Sequence, residues 1–323
     1  MSRIDKQYVR EITVKALEGD RVSLAKLITL IEESMEYFTV VSDLVWPRTL
    51  RAHVIGVTGM PGAGKSTLIS RITRLLRKEG KTVGIIAIDP SSPISGGSLL
   101  GDRIRIQQSI DQGVFMRSMP ARREGVLPWR ALLTVEILDA VGYDYIIIET
   151  VGAGQSDVQV MHVADTVLVV IMPGAGDEVQ ALKAGLMEIG DIYVVNKADK
   201  PEAETTYNQV KFALENIVRE KGWKPPIMKT AAIMNKGVKE LVAMIKEHRE
   251  YAEKTEVLRT RRIRRRLLEL ELLLKARFNE LIEKIVEENE NAKKIIENVK
   301  LGTIDPVNAS KQLLFLLLTS KVN

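Results

Sequence analysis

Eight residues, Gly59-Met60-Pro61-Gly62-Ala63-Gly64-Lys65-Ser66, constrain the fold of this 323-residue chain more than any other stretch. They fit the pattern G-x-x-x-x-G-K-[ST]. The apolar run His53–Thr58 precedes them, and a run with helical spacing, Thr67–Arg77, follows. That is the strand–loop–helix context a phosphate loop requires. Its glycines let the backbone curl until successive N–H groups face one anion. The helix N-terminus adds positive potential at the same point. The cradle is read as Gly59, Pro61, Gly62, Ala63, Gly64, Lys65, Ser66 and Thr67. Lys65 reaches the β- and γ-phosphates, and the Ser66 hydroxyl ligates Mg²⁺.

Short Val/Ile-rich runs recur on both sides of this loop: Thr82–Ile88, Val114–Arg117, Tyr145–Ile148, Thr166–Met172, Ile192–Val195 and Pro226–Lys229. Helical spacing fills the gaps between them. Continuous β-branched runs suit strands buried on both faces. The expected fold is α/β, a mostly parallel sheet flanked by helices. A helical extension precedes it, and a long helix over 258–290 opens a helical C-terminal arm. The expected division is 1–50, 51–250 and 251–323. Apolar residues make up 45% of the chain, charged residues 28%, and the mean hydropathy is −0.01. Those values exclude disordered, collagen-like and membrane-integral classes. The apolar run Leu313–Leu318 is far short of the ~20 residues needed to cross a bilayer. The N-terminus shows no apolar signal core, so the expected location is the cytoplasm. With no cysteine and three histidines, thiolate metal sites and cysteine nucleophiles are ruled out.

Two further motifs point to a guanine nucleotide. Asn196-Lys197-Ala198-Asp199 follows the run Ile192–Val195 and fits N-K-x-D. A carboxylate there accepts two hydrogen bonds from guanine N1–H and N2–H₂, a donor pair that adenine lacks. The Lys197 stem packs over the base. Glu149-Thr150-Val151-Gly152 ends the run Tyr145–Ile148. Glu149 there can hold Mg²⁺ through water, and Gly152 lets the backbone approach the γ-phosphate. Asp89 ends another apolar run, and Asp102 follows the Gly/Ser-rich stretch after it, so both are candidate metal-site carboxylates in a segment able to switch. Ala153, not Gln, follows Gly152, so the water-positioning glutamine of Ras-like enzymes is missing from its usual place. Basal hydrolysis is expected to be slow.

Together with Ala16-Leu17-Glu18-Gly19-Asp20, Arg117-Ser118-Met119-Pro120, Pro173-Gly174-Ala175-Gly176-Asp177-Glu178 and Asp305-Pro306, these motifs resemble the MeaB/ArgK-type family of P-loop GTPases, of the SIMIBI class. The resemblance runs through most of the chain. It implies a homodimeric GTPase chaperone of an adenosylcobalamin-dependent acyl-CoA mutase, usually methylmalonyl-CoA mutase, gating cofactor delivery and protecting or reactivating the mutase. It places GTP or GDP and Mg²⁺ at the site, with Ser66, Asp89, Asp102 and Glu149 around the metal and Asn196, Lys197 and Asp199 on guanine. Lys65, Asp89, Glu149 and Lys183 then form the catalytic set, Lys183 within the further switch Asp177–Gly185. Ala231-Ala232 stands where Ser-Ala is usual, and guanine O6 is met there by backbone N–H.

Three rival readings remain. A nickel metallochaperone shares the fold class but needs Cys and His ligands. A kinase linked to basic amino-acid (lysine/arginine/ornithine) transport is the older reading of the ArgK relatives. Nucleic-acid binding is suggested by Arg259, Arg261, Arg262, Arg264, Arg265 and Arg266, and residues 258–323 carry the whole formal excess of +5. The adjoining leucine stripe and interspersed Glu favour a solvated helix face or dimer arm instead. No nucleic-acid or membrane partner is expected.

Overall fold

The computed structural model describes residues 5–90, 112–121, 128–150, 162–174, 186–215 and 222–319. Among them lie seven strands: β1 (His53–Gly59), β2 (Val83–Pro90), β3 (Val114–Ala121), β4 (Tyr145–Glu149), β5 (Thr166–Ile171), β6 (Ile192–Val195) and β7 (Ile227–Lys229). They form one sheet in the order β3-β2-β4-β1-β5-β6-β7, and every ladder in it is parallel. Each sequence-predicted strand is present. All residues of β1, β5 and β6 are buried, which is why those runs are unbroken rather than alternating.

Helix α4 (Lys65–Lys78) covers one face together with α8 (Val238–Lys254). Leu68, Ile69, Ile72 and Leu76 of α4 meet Leu241, Val242 and Ile245 of α8 over Ile55, Val57, Ile147 and Leu168. The other face carries α5 (Trp129–Val141), buried without a break from Ala131 to Ala140. A helix apolar on all sides must be covered on all sides. The three N-terminal helices, α1 (Lys6–Leu17), α2 (Arg21–Glu33) and α3 (Met35–Val45), supply that outer cover. Asp20 caps α2 through the Ser23 N–H, at 2.9 Å. Gly19-Asp20 separates α1 from α2, and a second break falls at Ser34, which caps α3. The two oxygens of the Glu32 carboxylate of α2 accept from Nε and Nη2 of Arg117 of β3, fastening this layer to the sheet edge.

Between α5 and α8 lie the short helix α6 (Leu186–Ile189) and α7 (Ala203–Glu215). Helix α9 (Val257–Glu288) follows α8, then α10 (Glu290–Lys300) and α11 (Pro306–Thr319). The chain divides into two compact units, Met1–Arg266 and Leu267–Asn323, so the division falls within α9. In the second unit Asn289 caps α10, Gly302 at φ 72° follows its end, and Asp305-Pro306 opens α11.

The basic run at the start of α9 divides between solvent and the protein's own acidic groups. Arg259 and Arg264 are exposed, but Arg265 is 1% exposed and Arg261 and Arg262 turn inward to acidic partners. Arg266 lies over the Trp46 ring, 4.8 Å from its centroid. Arg261, Arg262 and Arg265 are thus held by the protein itself, while Arg259 and Arg264 keep the exposure expected of a helix face.

Candidate functional site

In open parallel sheets ligands bind beyond the carboxyl ends of the strands. The tips of β1, β4, β6 and β7 bring most of the predicted residues to that edge. Beyond β1 the loop turns through Gly59 (φ 133°), Gly62 (φ 78°) and Gly64 (φ 88°). A Cβ at Gly59 would stand 2.0 Å from the Val170 carbonyl oxygen, and one at Gly64 would stand 2.5 Å from the Asn196 amide nitrogen. Glycine is thus required twice, for backbone conformation and for close approach. Helix α4 begins at Lys65 with Gly64 as its N-cap, so its first N–H groups open on this loop. The buried Lys65 ammonium donates to the Gly59 carbonyl and to the Met60 carbonyl, the latter at 3.0 Å.

Ser66 donates its hydroxyl proton to Glu149 Oε1 at 2.6 Å. The contact arises because β4 pairs with β1, Glu149 lying opposite Val57. A hydroxyl and a carboxylate side by side at a phosphate loop are hard oxygen donors. Mg²⁺ normally takes one or two such protein oxygens and fills its octahedron with phosphates and water, so this pair fits it. Asp89 stands at the end of β2, opposite Pro120 of β3, and β2 is the other neighbour of β4. The Asp89 side chain, Asp102, Gly152, and Lys183 with the rest of the 177–185 switch all lie outside the described residues.

Asn196 joins the two halves of the site. Its amide donates to the Ala63 carbonyl in the phosphate loop, at 2.8 Å. Its Oδ1 accepts the Thr230 hydroxyl at 3.0 Å and the Ala232 N–H at 3.2 Å. Lys197 takes a left-handed conformation (φ 57°), uncommon for a side chain of its size, and Asp199 is exposed beyond it. The Ala231 and Ala232 N–H groups, the expected donors to guanine O6, donate here to the Lys236 carbonyl and to Asn196 Oδ1. A guanine O6 would draw on the Ala232 proton in competition with Asn196.

Two residues that bind this frame together escape the motif reading. Thr230 spans it three times: its N–H donates to Val195 O, its carbonyl accepts the Ala198 N–H, and its hydroxyl holds Asn196. Arg71, two turns into α4, donates to the Ala232 and Ile233 carbonyls at 3.1 and 3.3 Å. Only their spacing from recognised motifs hinted at them: Thr230 abuts Ala231-Ala232, and Arg71 follows the phosphate loop on its own helix.

The profile of the family described as methylmalonyl Co-A mutase-associated GTPase MeaB matches residues 24–290. The chain belongs to this family. A protein of Pyrococcus abyssi named as a GTPase is 45% identical over 313 residues, 95% of this chain and 96% of the relative. The GTPase ArgK of Escherichia coli is 34% identical over 249 residues, covering 74% of this chain and 75% of that one. Among solved structures, a LAO/AO transport system kinase aligns with a TM-score of 0.69 and 27% identity, over 98% of this chain and 100% of that one. The nucleotide of this GTPase family is a guanine nucleotide.

Proposed function

We propose that this chain hydrolyses GTP to GDP and phosphate at the β1–β4–β6–β7 edge, in a Mg²⁺-dependent reaction. The observation that carries the reading is Asn196, bonded at once to the phosphate loop and to the guanine loop. One side chain thereby fixes the distance between the groups that read base and phosphate. In the proposed complex Asp199 accepts guanine N1–H and N2–H₂, and the Lys197 stem covers the ring. The α4 N-terminus and Lys65 stabilise negative charge on the transferring phosphoryl group in a dry, preorganised setting. Ser66 and Glu149, with Asp89 and Asp102, would hold the ion. An Mg²⁺ ion held there would supply positive charge against the phosphates.

The output of this cycle is assigned to conformation, with the 89–102 and 177–185 segments as the parts that respond to the γ-phosphate and Gly152 as the approach point. Its recipient is proposed to be an adenosylcobalamin-dependent mutase, methylmalonyl-CoA mutase first, in the cytoplasm. The family description names that mutase, and the methylmalonic aciduria type A homolog of Mus musculus is 31% identical over 269 residues, 76% of this chain. Functionally the chain is divided into the 1–50 extension, the 51–250 GTPase part and the 251–323 arm. The arm is proposed to form a homodimer. Leu267, Leu270 and Leu274 of α9 are each more than 60% exposed at helical spacing, an apolar stripe that water disfavours. Among the described residues no helix is long and apolar enough to cross a membrane.

The test is GTP turnover by the purified chain, alone and with the mutase. Slow basal hydrolysis that rises on adding mutase is the expected result. Turnover indifferent to mutase, with no complex in any nucleotide state, would reject the partner. The likeness to the LAO/AO transport system kinase supports a second reading, phosphate transfer linked to transport. Labelled phosphate appearing on a periplasmic binding protein, and none released to water, would favour it.

A further inference from the structure

The amino ends of the strands, at the edge opposite the nucleotide site, carry a set of charges, buried at Asp165 and Asp191, that the GTPase reading does not use. Three aspartates stand one residue before a strand, and each accepts the N–H of a residue at the root of the neighbouring strand. Asp144 takes Thr82 N–H at 2.8 Å, Asp165 takes Val54 N–H at 2.9 Å, and Asp191 takes Val167 N–H at 2.8 Å. At Val54 and Val167 the donors would otherwise be buried and unpaired, at a cost of about 1–3 kcal/mol each. Two of the three aspartates are then gripped by the first turns of α9.

Arg261 meets the Asp191 carboxylate with both Nη atoms, at 2.6 and 2.7 Å, and donates to the Asp165 carbonyl at 2.8 Å. Arg262 donates to the Leu50 and Ala52 carbonyls, just ahead of β1, and lies 3.6 Å from Asp165. Arg265 donates to the Val163 carbonyl and lies 3.6 Å from Asp165 and 3.9 Å from Glu136. On the sheet side His248 Nε2 is 3.3 Å from Asp191, and Thr166 Oγ1 bridges His248 to His53. Burial alone would raise the Asp191 carboxyl, but the Arg261 fork and His248 outweigh it and hold it well below the usual carboxylate range.

The other ends of the same strands are the nucleotide site. β1 starts beside Arg262 and ends in Gly59. β5 starts one residue after the Asp165 that all three arginines approach, and its Ile171 carbonyl receives the Asn196 N–H. β6 starts after Asp191 and ends one residue before Asn196. At ~3.3 Å per residue the seven residues of β1 put root and tip about 20 Å apart. A central strand in a close-packed sheet is a stiff element, and coupling travels through such elements.

We propose that Arg261, Arg262 and Arg265 are positioning residues for the guanine-nucleotide site, holding β1, β5 and β6 by their roots and thereby linking the start of α9 to nucleotide binding. The link is reciprocal: whatever nucleotide binding does to the strand roots, displacement of α9 does in return to nucleotide affinity. The first turns of α9, up to Arg266, belong to the same compact unit as the nucleotide site. This inference rests on the reading of 59–67 and 196–199 as the nucleotide site.

The experiment is amide hydrogen exchange of the full chain with and without GDP, with GDP affinity measured by calorimetry. Binding is expected to slow exchange across 257–266 at least threefold. Removing one member of a buried ion pair leaves the other uncompensated, so Arg261→Met alone risks unfolding. Replacing both members is often near neutral. The working variant is therefore Asp191→Asn with Arg261→Met. It is expected to stay folded by circular dichroism, lose the GDP response at 257–266, and bind GDP three- to tenfold more weakly. Wild-type chain that binds GDP with no change at 257–266 overturns the link. So does a folded double variant with wild-type affinity and wild-type response. Wild-type chain that binds no GDP overturns the nucleotide-site reading itself, and this inference with it, and calorimetry identifies that case.

Discussion

Thr230→Val removes one hydroxyl and little else, so it tests the guanine loop cleanly. The backbone bonds of Thr230 to Val195 and Ala198 survive the change, and the side chain is 1% exposed in a site that a methyl group of similar size can fill. What is lost is the 3.0 Å bond to Asn196 Oδ1. That oxygen keeps the Ala232 N–H, so it is not orphaned and the full desolvation penalty does not apply. A neutral hydrogen bond contributes about 1 kcal/mol net. The consequence falls on the base. With its other donor gone, Asn196 Oδ1 draws the Ala232 proton harder, and that proton is the one guanine O6 needs. If the whole 1 kcal/mol appears in the complex, GDP binding weakens about fivefold. Adenine carries an amine in place of O6, so ADP affinity should stay where it was. Fluorescence titration with labelled GDP and ADP measures both. Unchanged GDP affinity would remove Thr230 from base recognition. Equal losses for GDP and ADP would show that the change acts through Asn196 and Ala63 on the phosphate loop instead.

Four further outcomes are expected. Lys65→Ala should abolish productive GTP binding, and wild-type affinity and turnover in that variant would refute the phosphate site. Asp199→Asn should shift preference from GTP towards xanthosine triphosphate, measured by competition; an unchanged ratio removes Asp199 from the base. Ser66→Ala should leave GDP binding in chelator nearly unchanged while reducing its enhancement by Mg²⁺ at least tenfold, read by calorimetry across a metal titration; full enhancement would exclude Ser66 as a ligand. Acid should destabilise the fold through His53, whose pKa burial lowers to about 4, with Asp165 opposing the shift and Arg249, His248 and Arg262 adding to it. The unfolded chain takes up that proton near 6.5, so it binds more protons between those limits. Stability contributed by His53 is therefore complete above about pH 6.5 and lost by about pH 4, some 3 kcal/mol in all. Denaturant unfolding at pH 7 and pH 4.5 should show a smaller loss for His53→Asn than for wild type, and equal losses would refute the assignment.

The sheet and the nucleotide loops were legible because their signals are local. A strand buried on both faces must be a continuous apolar run, as in Thr166–Ile171, and a phosphate loop must place glycines where the backbone has no room for Cβ, as at Gly59 and Gly64. What joins the loops was not legible. Thr230 meets Asn196 across 34 positions and Arg71 meets Ala232 across 161. Nothing in the neighbourhood of either residue encodes a partner that only the strand order brings near. The inward-turned arginines of the run were illegible for a related reason. A period of three or four marks a helix face but not what that face meets, and six arginines with adjoining leucines look solvated until the sheet roots are in place.

The aspartates that receive those arginines show why the run belongs at the sheet. A parallel sheet has two unlike edges: strand tips end in loops free to vary, whereas strand roots present N–H groups that need acceptors. Asp165 and Asp191 satisfy the N–H groups of Val54 and Val167, and doing so buries a negative charge at each root. Such charges demand cations, and the demand is for a planar, bidentate donor rather than a point charge, as the two Arg261–Asp191 bonds show. Lysine at 261 would keep the charge and lose the fork. Arg261→Lys should therefore hold the fold better than Arg261→Met and still weaken the response of residues 257–266 to GDP. A full response in the lysine variant would mean that charge alone, without the paired geometry, secures the root of α9.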